Sequence, residues 1–75
     1  MSTVVLENVT LVRFTEKSIQ VILSNEETCY VPLSQLAEGE VEKCRKLLKA
    51  GDVEGVNLDV SKWWAETAGM DYTDL

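Results

Sequence analysis

The chain has 75 residues, 45% of them apolar, with 13 acids against 7 bases, no histidine and a formal net charge of −6. A chain of this length makes one domain with a core that is only just sufficient, which excludes a large internal pocket, and no apolar run reaches the ~18 residues that span a bilayer. The negative balance repels phosphate backbones and so disfavours nucleic acid as a partner. The lack of histidine, of a Cys-x-x-Cys pair and of a glycine-rich loop removes the common catalytic bases, zinc ligand sets, redox pairs and phosphate cradles.

The N-terminal stretch Met1 to Glu7 has no basic segment and meets an acid before an apolar region could form, so no secretion signal is read and a cytoplasmic location is expected. Alternating apolar residues predict a first strand from about residue 4 to 14, with Val9, Leu11 and Arg13 on one face and Thr10, Val12 and Phe14 on the other. Thr15 to Ser18 is a short polar break. Ile19, Val21 and Leu23 then mark a second strand, and a turn at Ser24 to Glu27 leads to a third at Thr28 to Val31, closed by Pro32, the only proline. Pro32 to Leu36 is expected to form a tight turn or one 3₁₀ turn.

Residues 38 to 50 place Val41, Cys44, Leu47 and Leu48 on one helical face. Glu38, Glu40 and Glu42 precede Lys43, Arg45, Lys46 and Lys49, an order that complements the helix dipole and allows Glu42 to meet Lys46. Ala50-Gly51-Asp52 supplies the stop. Val56, Leu58 and Val60 alternate with Asn57 and Asp59, predicting a fourth strand over 54 to 60, and Ser61 stands where the N-cap of a second helix belongs. That helix is expected to end at Gly69, with Met70 folding back on its last turn.

The order β-β-β-α-β-α predicts an α+β fold, a small curled antiparallel sheet of about four strands with two helices, of SH3-like or OB-like half-barrel character. A flat sheet with both helices on one face is the alternative the pattern leaves open. Residues 1 to 70 form a single domain, and 71 to 75 a short acidic tail expected to be mobile. Cys29 and Cys44 are expected to be reduced and largely buried, and a disulfide between them is the alternative reading.

Four features are candidates for function. Adjacent helical residues point about 100° apart, so Trp63 and Trp64 cannot share a face. Trp64 with Ala68 forms an i,i+4 pair suited to packing, which leaves Trp63 as the exposed ring and the best anchor for a partner. Residues 50 to 75 hold six acids against Lys62 alone, either a solvated surface or an acidic face for a basic partner. The cluster Lys43, Arg45, Lys46 and Lys49 fits helix-end electrostatics. With Tyr30 and Phe14 it could instead form a stacking platform for single-stranded nucleic acid, although such aromatics in a sheet more often belong to the core. Asn8-Val9-Thr10 matches a glycosylation sequon, which in a chain without a secretion signal is a chance match.

The segments Tyr30-Val31-Pro32-Leu33-Ser34-Gln35-Leu36 and Leu58-Asp59-Val60-Ser61-Lys62-Trp63-Trp64-Ala65-Glu66 carry a further signal. A meander ending in aromatic-x-Pro-x-Ser-Gln, followed by a strand that leads into a Trp-containing helix with a final glycine, resembles small uncharacterised proteins of bacteriophages and prophages. The resemblance spans roughly residues 9 to 70 and implies a phage-type accessory protein in the cytoplasm of a bacterial host.

The expected function is non-enzymatic: binding of a host or phage protein through Trp63, Glu66, Asp71, Tyr72 and Asp74, with inhibition of a nucleic-acid-handling or defence enzyme as its concrete form. The expected partner is a protein with a basic surface. No cofactor, metal or membrane contact is called for, and a homodimer through an uncovered edge strand or the Trp63 face is a further expectation. The alternative is a single-stranded nucleic-acid-binding small barrel.

Overall fold

The computed structural model describes residues 2–70 and the backbone of residues 73 and 74. Its elements are strand β1 (Thr3–Phe14), β2 (Ser18–Ile22), β3 (Thr28–Pro32), a 3₁₀ turn (Leu33–Gln35), helix α1 (Glu40–Ala50), β4 (Val56–Ser61), helix α2 (Lys62–Thr67) and β5 (Thr73–Asp74). The four principal strands form one antiparallel sheet in the order β3-β2-β1-β4, so the expected α+β fold and element order hold. Among the described residues no helix is long and apolar enough to cross a membrane.

The long strand β1 departs from simple alternation twice, and both departures serve the core. Against β4 its register runs Leu6↔Leu58 and then Val9↔Val56, one residue more on β1 than on β4. The extra residue is taken up around Asn8, whose φ of 58° lies in the left-handed region that asparagine tolerates better than most residues. A second shift falls between Leu11 and Arg13, opposite Val21 and Gln20. Because a one-residue slip swaps faces, the first bulge keeps Val4 and Leu6 on the same buried side as Val9 and Leu11, and the second resets the faces beyond Leu11. They also overturn part of the predicted pattern: Arg13 turns outward to bond Gln20, and Phe14 packs against the core instead of sharing a face with Val12.

The sheet curls without closing. Leu36, just beyond the 3₁₀ turn, makes an isolated antiparallel bridge to Val60 of β4, so the chain leaving β3 meets the far edge although β3 and β4 do not pair. Cys44 of α1 and Ala65 of α2 complete a core otherwise built by the inward residues of β1, β2, β3 and β4. β5 is an addition to the expected strands. Its backbone pairs Asp74 with Val4 and Thr73 with Val5, so this part of the tail is held by β1 where mobility was expected.

Helix α1 begins at Glu40 and not at residue 38. Gly39, at φ 85°, is incompatible with a helix, and the Ala37 N–H donates to the Asp59 carbonyl at 2.9 Å, which ties the preceding residues to β4. The helix ends as expected at Gly51, where the Gly51 and Asp52 N–H groups bond the Leu48 and Leu47 carbonyls at 3.2 and 3.0 Å, a Schellman arrangement.

Candidate protein-binding surface

The surface around α2 is positioned by the end of β4 with no intervening loop. Ser61 is buried, pairs with Thr3, and its Oγ accepts the Trp64 N–H at 3.4 Å, while the Lys62 N–H donates to the Ser2 carbonyl at 3.0 Å. Strand pairing and helix capping thus overlap within two residues, and the N-cap supplies about 1 kcal/mol to a helix too short to persist alone. At the other end the Gly69 and Met70 N–H groups bond the Glu66 and Ala65 carbonyls at 3.2 and 2.9 Å, as expected for a glycine C′ residue.

This frame separates the tryptophans as the 100° rotation requires. Trp64 packs against the core beside fully buried Ala65, whereas Trp63 is 68% exposed, the largest exposure among the big apolar side chains described. Glu66, one turn further on, is also exposed. The structure therefore brings Trp63 and Glu66 together on one side of α2. Asp71 and Tyr72 lie outside the described residues, and Asp74 is placed only by its backbone pairing with Val4.

The rival platform is dispersed. Tyr30 is 52% exposed and alternates with buried Val31, so it projects from the face of the sheet opposite the core, next to Gln20 and the Arg13 Nε–H bonded to it at 2.9 Å. Phe14 is half-buried on the core side with the Arg45 guanidinium 5.0 Å from its ring centroid, a cation–π contact that caps the ring. Lys43 is committed elsewhere. Its Nζ bonds the Glu40 carboxylate at 2.8 Å and the Asn57 carbonyl at 2.7 Å.

That last arrangement is the feature the sequence hid. Glu40, only 5% exposed, accepts the Asp59 N–H on Oε1 at 2.8 Å as well as Lys43, so one carboxylate stitches the start of α1 to the outer edge of β4. In the sequence Glu40 is one of three acids at a helix start, and the expected Glu42 to Lys46 pair gives way to Glu40 with Lys43. The position, close to the positive end of the helix dipole, suits a buried carboxylate.

The remaining chemistry is sparse. Cys29 and Cys44 are free thiols. Burial pushes both up from the ordinary thiol range. At Cys44 the Glu40 carboxylate adds to that rise and Lys43 opposes it, so neither site favours a thiolate. Among the described residues no group of three or more potential ligands could hold a metal ion. A hollow beside Leu6, Glu7, Leu23, Glu27 and Met70 offers about 70 Å³, and a wider one of about 310 Å³ at Lys43, Asp52, Glu54 and Asn57 is an open saucer rather than an enclosed site. Neither a family model, nor a curated protein, nor a solved structure matches the chain.

Proposed function

We propose that this chain is a non-enzymatic protein-binding module that docks through α2, with Trp63 as the anchor, Glu66, Asp71 and Asp74 as the acidic surround and Tyr72 among them as a second aromatic contact. The observation that carries this reading is the 68% exposure of Trp63 on a helix capped at both ends. Exposed tryptophan costs solvation in the free protein, and a rigid ring with two side-chain torsions loses little entropy when a partner covers it. The partner is a protein with a basic surface, drawn by the excess of acids in residues 50 to 75. In the phage-type setting that the sequence resembles, that partner is a nucleic-acid-handling or defence enzyme, and the consequence of docking is inhibition.

Affinity capture from bacterial lysate with and without nuclease tests this when wild type is run beside Trp63→Ala and the triple reversal Glu66→Lys, Asp71→Lys, Asp74→Lys. A stoichiometric, nuclease-resistant protein lost from both variants supports the reading. A partner retained by both sinks it. The exposed Tyr30 beside Arg13 keeps a second reading, single-stranded nucleic-acid binding, and oligonucleotide titration with wild type against Tyr30→Ala decides it.

A further inference from the structure

Hydrogen bonds at the two ends of the β2–β3 ladder fix which backbone groups of β3 face inward. The Leu23 N–H donates to the Glu27 carbonyl at 2.8 Å, and the Leu33 N–H to the Lys17 carbonyl at 2.9 Å. In an antiparallel ladder hydrogen-bonded and non-hydrogen-bonded pairs alternate, so Val21↔Cys29 and Ile19↔Val31 exchange bonds, whereas Ile22↔Thr28 and Gln20↔Tyr30 do not. The N–H and C=O groups of Thr28 and Tyr30 therefore point away from β2, and among the described residues nothing accepts or donates to them. Edge strands are commonly guarded by shortness, a proline, a charge or a bulge; Thr28-Cys29-Tyr30-Val31-Pro32 is short and closed at one end by Pro32, yet it carries no charge and pairs with β2 in unbroken register, which leaves Thr28 and Tyr30 open.

We infer that β3 is a self-association edge, which pairs antiparallel with β3 of a second copy of this chain about a two-fold axis at Cys29. In this register Thr28 lies opposite Tyr30 of the second copy, and each such pair exchanges two hydrogen bonds. Four bonds form, and every outward N–H and C=O of Thr28 and Tyr30 is used. A longer foreign strand gains little, because Pro32 has no N–H and opens the 3₁₀ turn, while Glu26 at the other end is already turned away at φ 70° with its N–H on the Leu23 carbonyl. The antiparallel sense also keeps the acidic turns Glu26-Glu27 of the two copies apart, each carried toward the net-neutral Glu16-Lys17 turn of the other copy, where Lys17 adjoins Leu33.

The axis makes the pairing testable by chemistry. Cys29 faces Cys29 of the second copy as a non-hydrogen-bonded pair, with Cα atoms about 4.5 Å apart, within the span a disulfide can bridge. Oxidation with copper–phenanthroline, in which the reagent takes up the two electrons and two protons leave the thiols, should give a covalent dimer of Cys44→Ser and none of Cys29→Ser. Sedimentation over a concentration series should show wild type dimerising, Tyr30→Lys weakening the dimer severalfold because its two charges lie diagonally across the axis, about 7–8 Å apart, and Trp63→Ala leaving it unchanged. Concentration should also slow hydrogen exchange at the Thr28 and Tyr30 amides, a readout independent of any substitution. A monomer up to about 1 mM, a dimer indifferent to Tyr30→Lys, or one lost with Trp63→Ala would each overturn the inference. None of these readouts depends on the α2 partner.

Discussion

The two outer edges of the sheet are treated in opposite ways. Along β4 the Asp59 N–H goes to Glu40, the Asp59 carbonyl to the Ala37 N–H, the Asn57 carbonyl to Lys43, and Val60 bridges Leu36. Along β3 the outward groups of Thr28 and Tyr30 meet no described residue. Both strands are short and alternate buried with less buried residues, so what separates them is neither length nor alternation but what the chain does next. After β3 it crosses the molecule and lays residues 36 to 43 against the far edge. The lesson is that an edge is closed by sequence-distant groups, here a carboxylate 19 positions before the amide it satisfies.

The sharpest way to break this contrast is to open the closed edge. Glu40→Ala should cost about 2–3 kcal/mol in urea unfolding, the penalty for stranding a half-buried amide and an ion-pair partner, and should speed hydrogen exchange at the Asp59 amide. Glu40→Gln, which keeps one acceptor, should cost less than half of that. Gly39→Ala attacks the same stitch through the backbone. With φ at 85° and open space around an added Cβ, the expected loss is about 1 kcal/mol, all of it conformational. On the open edge, Tyr30→Lys should change monomer stability by no more than about 0.5 kcal/mol, since it removes no buried contact. A comparable loss there would mean the edge is covered.

The two cysteines sharpen the comparison further, because Cys29 lies in the open-edge strand and Cys44 on the helix stitched to the closed one. Alkylation by a thiol reagent should be faster at half-exposed Cys29 than at buried Cys44, and both should need a higher pH than a free thiol. With folded values raised, the protonated thiols contribute stability that is fully present below the ordinary thiol range near pH ~8.5 and is lost as pH climbs through the raised values. Urea midpoints of wild type should therefore fall above that range more steeply than those of Cys44→Ser.

Much of this fold was legible because local rules and the tertiary structure agree. β2, β3 and β4 follow period-two alternation, Ser61 caps α2, and Gly51 and Gly69 end the helices. The faces of β1 were not legible beyond Leu11, because a bulge leaves no mark in hydrophobicity and Arg13 with Phe14 fits either register. β5 escaped notice because two residues carry no period. The exposure of Trp63 was legible from rotation along a helix, although Trp64 finds its packing on the core and Ala68 stays exposed. Glu40 was not. Its role depends on where β4 lies, and nothing near residue 40 in the sequence says that.

The direct passage from β4 into α2 has a mechanical consequence. Trp63 stands two residues beyond the last residue of a paired strand, so its ring cannot swing on a tether while the sheet stays still. A molecule that grips Trp63 grips the sheet, and by mass action such a ligand would raise the melting temperature of the whole domain rather than of one helix. Conversely, weakening the seam between β1 and β4 would lower affinity at a surface it never touches.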